Sequence, residues 1–280
     1  MNPIDALFVR LRTEGKKAFM PFLTAGDPDL QTTAKLVTEL CRQGANLVEI
    51  GFPFSDPIAD GPVVQASYNR ALTRGLRIED VFNTLRRLTD APDHRAYAVP
   101  LVSMISYSLV QRRGPSQFLD LAQAAGLDGA IVPDLPIDEA GELIRAAAER
   151  DFKLIQLITP TTPRDRAVRI AQHSTGFIYY VSVTGITGER DRLPPELLGQ
   201  LGWLRGQTDL PICVGFGISK PEHVRMLREV VDGVIVGSAI VRRLEQAGTK
   251  TQAELLSDIG DLVRSLSEAL NPAAAGDARP

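Results

Sequence analysis

The chain has 280 residues, 44% hydrophobic and 23% charged, with a net charge of −3 and a pI near 5.7. That balance suits a soluble globular protein and supplies no electrostatic attraction for nucleic acid or an anionic membrane. Its two cysteines, Cys41 and Cys213, stand far apart in apolar contexts, which argues against a disulfide framework and points to a reducing, cytoplasmic compartment.

The opening stretch "MNPIDALFVRLRTEGKK" lacks the apolar run of a signal peptide, and no later run reaches membrane-spanning length. Within it, "PIDALFVRLRTEG" predicts a helix ahead of the first strand. Short β-rich runs then follow in order: "KAFMPFLT" (17–24), "NLVEI" (46–50), "AYAVPLVS" (96–103), "DGAIVP" (128–133), "FKLIQLI" (152–158), "GFIYYVSV" (176–183), "PICVGF" (211–216) and "DGVIVG" (232–237). Amphipathic stretches such as "LQTTAKLVTELCRQG" and "EAGELIRAAAERD" lie between them, with apolar residues at helical spacing and a Gly or Asp near the stop. Eight strands, each followed by a helix, predict a (β/α)8 TIM barrel with an extra N-terminal helix. The first strand ends in "LTAGDPD", without the G-x-G-x-x-G turn of a dinucleotide-binding open sheet. "LDGAIVPDL" (127–135) echoes "VDGVIVGSA" (231–239), as two half-barrels would, although buried parallel strands look alike in any case. No linker interrupts residues 1–270, which predicts one domain, and "NPAAAGDARP" (271–280) reads as a disordered tail.

In a barrel of this kind the chemistry gathers in the loops at the carboxyl ends of the strands. "TGITGER" (184–190), "GFGIS" (215–219) and "VGSAI" (236–240) are glycine-rich, and the last two follow strands seven and eight. Backbone N–H groups there, with a helix opening near Gly237 and Ser238, suit a phosphate without any Lys or Arg. Glycines serving only tight turns are the alternative for either loop alone. Glu49 lies in the middle of the apolar strand "NLVEI", where Val48 and Ile50 face one side and Leu47, Glu49 and Gly51 the other. An unpaired ionised Glu in a core is too costly to be kept without use, and burial raises its pKa toward neutrality. That makes Glu49 a candidate proton carrier, with a satisfied structural Glu as the alternative. Asp60, in the Pro- and Gly-rich loop "DPIADGP", lies over the same mouth or merely shapes a turn. His94, His173 and His223 do not end strands, and no cluster has metal-ligand spacing. Lys17 and Lys153 stand near strand starts and Lys220 opens a helix, so none is placed for a Schiff base. Carboxylate acid–base chemistry on a phosphorylated substrate is what remains.

Two stretches carry a family likeness: "PFLTAGDP" (21–28) and "EIGFPFSDPIADGP" (49–62), joined in order by "VPDLP" (132–136), "VSVTGITGER" (181–190), "GFGIS" and "VGSAIV" (236–241). Over about residues 4–245 the chain resembles the alpha chain of tryptophan synthase. The resemblance implies retro-aldol cleavage of indole-3-glycerol phosphate to indole and glyceraldehyde 3-phosphate without a cofactor in this chain. By matching position, Glu49 is then the general acid–base group and Asp60 the carboxylate facing the indole N–H. Phe22, Ile131 and Phe216 match the indole pocket, and Tyr179 a position beside the catalytic Glu. Gly188, Gly217, Gly237 and Ser238 match the phosphate-binding backbone. Thr187 matches the threonine of a mobile lid within "VTGITGERDRLPP", whose Arg190 and Arg192 are the expected first sites of tryptic cleavage. Asp56 and Asp134 match loops facing the beta chain, which carries pyridoxal phosphate and joins an α2β2 heterotetramer. A stand-alone lyase releasing free indole is the alternative. One departure stands out: where the family has Tyr and Asn after strand three, this chain has Ser106 and Ser108 in "ISYSLV".

Overall fold

The computed structural model describes residues 1–92, 98–182, 195–215 and 217–272. Eight parallel strands, β1 (Ala18–Thr24), β2 (Val48–Gly51), β3 (Leu101–Met104), β4 (Gly129–Ile131), β5 (Lys153–Ile158), β6 (Ile178–Val181), β7 (Ile212–Gly215) and β8 (Gly233–Val236), pair in chain order and close into a barrel. Each of the eight predicted runs overlaps a strand, shorter than predicted at most ends because pairing stops where the loops turn away, while β2 and β3 each run one residue further. Side chains alternate as the pleat requires. Val48 and Ile50 face outward into the layer shared with the helices, while Met20, Leu47, Val102, Ile131, Ile155, Cys213 and Ile235 fill the barrel interior.

The helices are α1 (Pro3–Thr13), α2 (Leu30–Arg42), α3 (Pro62–Thr73), α4 (Ile78–Asp90), α5 (Tyr107–Arg113), α6 (Pro115–Ala124), α7 (Gly141–Ala148), α8 (Arg164–His173), α9 (Pro195–Arg205), α10 (Pro221–Leu227), α11 (Ser238–Leu244) and α12 (Gln252–Leu270). One helix per strand was too simple an expectation, because among the described residues β2, β3 and β8 are each followed by two. Glycines make two of the breaks: Gly75, at φ +79°, separates α3 from α4, and Gly114, at φ +86° and followed by Pro115, separates α5 from α6.

The N-terminal helix seals the amino end of the barrel. Asn2 caps it, accepting from the Ile4 N–H at 2.9 Å, and Pro3 occupies its first turn. Ile4, Leu7, Phe8 and Leu11 form one buried stripe that joins the interior cluster. The Asn2 amide also donates to the carbonyls of Asp128 (3.0 Å) and Asp151 (2.7 Å), tying α1 to the starts of β4 and β5. At the other terminus Asn271 accepts from the Lys17 N–H and donates to its carbonyl, both at 2.8 Å. Asn271 is thus tied to the start of β1, and residues 273–280 of the expected tail lie outside the described residues.

Helix α3 is clipped to the carboxyl end of β1 at two points. The Thr24 and Ser67 hydroxyls share a hydrogen bond of 2.6 Å, and Arg70 makes a two-pronged pair with buried Asp27 at 3.1 and 2.6 Å. Among the described residues no helix is long and apolar enough to cross a membrane.

Candidate active site

Strand β2 delivers Glu49 to the carboxyl half of the barrel. It lies in register with Phe22 on β1 and Val102 on β3, and only 2% of its surface is exposed. Its Oε1 is sealed from solvent and has no hydrogen-bond partner among the described residues. Burial, reinforced by the negative charge of Asp60, pushes its pKa up to about 8. An uncharged carboxylic acid at neutral pH, with one oxygen unengaged, is poised to give a proton to a bound molecule.

Asp60 is half-buried at the end of the loop that follows β2, just before the Gly61 cap of α3. Burial, with Asp134 nearby, raises its pKa to about 6. The two carboxyls therefore split: near neutrality Glu49 keeps its proton and Asp60 is mostly ionised. Each lies near a tyrosine. Tyr179 on β6 feels Glu49 more strongly than Asp60, and Tyr68 on α3 feels Asp60 more strongly than Glu49. Burial and these charges hold both phenols well above their ordinary value, so both remain O–H donors.

The apolar part of the site is a small cluster at the mouth, Phe22, Val64, Tyr68 and Val241, with Met104 packed against it. Ile131 sits deeper in the interior layer, 1% exposed. Two glycines let rings approach the strands. A Cβ on Gly51 would lie 2.5 Å from the Phe22 ring and 2.8 Å from the Tyr68 hydroxyl, and one on Gly215 would lie 2.5 Å from the Tyr179 hydroxyl. Beyond β7, Gly217 takes φ +75°, and beyond β8, Gly237 precedes Ser238 at the start of α11, with Phe22 against its open side. These positions put backbone N–H groups of the last two loops on the same mouth as Phe22. Thr187, Gly188 and Phe216, and with them the expected lid, lie outside the described residues.

A cleft open to solvent runs from Tyr68, Asp60 and Met104 outward to Asp56 and Ile58. Asp56 is exposed there, and the Ile58 side chain is 78% exposed. Asp134, across the cleft, is engaged inside the chain: its carboxylate accepts from the Ser106 hydroxyl at 2.6 Å and from the Tyr107 N–H at 2.7 Å. Ser106 is thus both the cap of α5 and a latch between the loops after β3 and β4. Ser108 is exposed, so only the first of the two serine departures faces the cleft. Tyr68 was not singled out from sequence. Its spacing of four from Val64 on an amphipathic helix marks a core residue and carries no sign of a site.

Comparison with known proteins agrees in one direction. Residues 8–270 match the sequence model of the family described as tryptophan synthase alpha chain. The chain is 50% identical to the tryptophan synthase alpha chain of Rhodopirellula baltica over 280 residues, 98% of this chain and all of that one. It is 44% identical to that of Synechocystis over 272 residues, 97% of this chain and all of the other. Among solved structures, the alpha chain from Legionella pneumophila superposes with a TM-score of 0.86 at 34% identity, covering 98% of this chain and 99% of that one. A chain of the α2β2 complex of Pyrococcus furiosus, whose structure addresses mutual activation, gives 0.80 at 37% identity, covering 90% and 98%.

Proposed function

The chain belongs to the tryptophan synthase alpha chain family, and from that premise we propose which of its residues carry the reaction. It is a lyase of tryptophan biosynthesis that cleaves indole-3-glycerol phosphate to indole and glyceraldehyde 3-phosphate. The observation that carries the residue assignment is the split between the two carboxyls: Glu49 sealed, unpartnered and raised to about 8, Asp60 raised only to about 6.

In the first half of the reaction the Glu49 carboxyl gives its proton to indole C3, and the ring takes up positive charge. Asp60, ionised, accepts from the indole N–H and stabilises that cation; this interaction is stronger in the transition state than in the ground state. The carboxylate left on Glu49 then takes the proton of the hydroxyl on the adjoining carbon. The C3–carbon bond breaks, its electron pair returns to the ring to regenerate neutral indole, and the carbon becomes the aldehyde of glyceraldehyde 3-phosphate. Protons and electrons balance without a cofactor from this chain. Phe22 and Ile131 line the indole pocket in this reading, with Tyr179 beside Glu49. Backbone N–H groups at Gly217, Gly237 and Ser238 hold the phosphate, together with Gly188. Phe216 and the lid residue Thr187 complete the site.

We place the beta chain, carrying pyridoxal phosphate, on the face presented by Asp56 and exposed Ile58, in an α2β2 assembly. Asp134 reaches the same face through the loop it latches. The assignment is tested by incubating the purified chain with indole-3-glycerol phosphate and measuring indole, with and without a beta chain. Glu49→Gln is expected to lower cleavage by about a hundred- to ten-thousand-fold. Near-normal indole release by a folded Glu49→Gln protein would overturn the role of Glu49. Full activity of the wild type with no beta chain would instead favour the stand-alone lyase.

A further inference from the structure

We propose that Tyr68 is a specificity-determining residue of the indole pocket, its ring forming the wall on the side where the loop after β3 places Ser106. This rests on the reading of the site given above. Three observations support it. First, the ring is held at the mouth from both sides: its neighbour Ser67 is bonded to Thr24 at 2.6 Å, and Arg70, half a turn on, grips Asp27 at 3.1 and 2.6 Å. Helix α3 cannot rotate without breaking a buried ion pair, so Tyr68 is preorganised. Second, Tyr68 belongs to the mouth cluster with Phe22, Val64 and Val241, and it also lines the cleft that Ser106 and Asp60 line. Its hydroxyl lies against Gly51, which pairs with Met104 two residues before Ser106. The ring therefore stands over the ends of β2 and β3, where a residue on the loop after β3 would otherwise close the pocket.

Third, the residue is 3% exposed, yet its hydroxyl makes no hydrogen bond among the described residues. Unlike the sealed Glu49 Oε1, that hydroxyl is not closed off, and it opens onto the cleft. It shares that cleft with Asp60, which places it at the indole end of the site. A bound substrate supplies the contact that the chain itself does not.

The test uses indole-3-propanol phosphate and ring-methylated forms of it as probes, with binding measured by calorimetry on wild type, Tyr68→Ala, Tyr68→Phe and the double variant Tyr68→Ala/Ser106→Tyr. One methyl group against a fitted apolar wall changes affinity by about tenfold or more. Tyr68→Ala should therefore shift the ratio of affinities about tenfold toward at least one methylated probe. Tyr68→Phe should keep the wild-type ratio while weakening all probes several-fold through loss of the hydroxyl. Ser106→Tyr added to Tyr68→Ala should move the ratio back toward wild type. Should the alanine variant fold poorly by circular dichroism, Tyr68→Leu serves in its place. An unchanged ratio in a folded alanine or leucine variant, with wild type binding the probes, would overturn the role of Tyr68 alone. If wild type bound none of the probes, both the role of Tyr68 and the reading of the site would fall.

Discussion

Replacing Glu49 by Gln should make the protein more stable, and by an amount that depends on pH. In the fold the carboxyl is raised from an ordinary 4.5 to about 8. Between those values the unfolded chain has released the proton and the folded chain still holds it. Stability therefore falls as pH rises through this window and levels off above it. At about 1.4 kcal/mol per pH unit, the loss on going from below 4.5 to above 8 is on the order of 4–5 kcal/mol. Glutamine carries no charge at any pH and escapes it. Asp60 and Asp128 are also raised, each to about 6, but they are present in both proteins, and Asp60 owes its shift to burial and Asp134. The difference between the two proteins thus isolates Glu49. For a chain of this size about 2 °C per kcal/mol is expected. Thermal unfolding followed by circular dichroism from pH 4 to 9 should show the melting curves diverging by roughly 8–10 °C at the alkaline end. The same variant should be nearly inactive, so gain in stability and loss of function would appear together. A melting difference that stayed constant from pH 4 to 9 would refute the reasoning, because Glu49 would then ionise in the fold as easily as in water.

The pH dependence of cleavage should be bell-shaped, with kcat/KM rising through about 6 as Asp60 ionises and falling through about 8 as Glu49 loses its proton. Asp60→Asn should leave only weak activity and move the alkaline limb downward, since the charge of Asp60 helps to hold Glu49 protonated; an unmoved limb would show that the two carboxyls do not interact. Gly51→Ala introduces a methyl group 2.5 Å from the Phe22 ring and 2.8 Å from the Tyr68 hydroxyl, so both rings must shift. About 1–3 kcal/mol of stability should be lost, along with affinity for indole-3-propanol phosphate, both readable by calorimetry. Asp56→Ala should weaken stimulation by the beta chain while leaving the slow basal rate nearly unchanged; superimposable beta-chain titrations of wild type and variant would place the coupling elsewhere.

Much of this was legible because parallel barrels write a simple code. Strands buried on both faces read as apolar runs, so one carboxylate in "NLVEI" stands out, and alternation alone turns Glu49 inward with Leu47. The doubled helices after β2, β3 and β8 were harder to read. The first two breaks, at Gly75 and Gly114, depend on positive φ, and a glycine in a helical pattern does not announce that by itself. Tyr68 was hidden for a different reason. An aromatic residue on the buried face of an amphipathic helix looks the same whether it fills a core or a binding pocket. Only the clips at Ser67 and Arg70, fixed by residues 43 positions away in sequence, decide which. Asp134, expected in a loop that faces the beta chain, shows what sequence could not: its oxygens are taken by Ser106 and Tyr107 within the chain.

The seal made by α1 gives the barrel a direction. With Ile4, Leu7, Phe8 and Leu11 filling its amino end and Asn2 bonded to the backbone at two of the strand starts, the interior is a blind vessel, open on one face. Substrate entry, aldehyde release and indole release must therefore share that face. Indole is small and uncharged, the kind of molecule a cell retains poorly, and among the described residues the interior behind it is filled by buried apolar side chains. Whatever receives it has to stand at the opening, and it can do so only where the phosphate-bearing product does not have to pass. The cleft leading from Tyr68 to Ile58 lies on the β2–β4 side of the mouth, away from the phosphate-type loops after β7 and β8. With the beta chain placed as proposed on the Asp56 and Ile58 face, one opening offers two lanes, one toward the partner and one toward solvent.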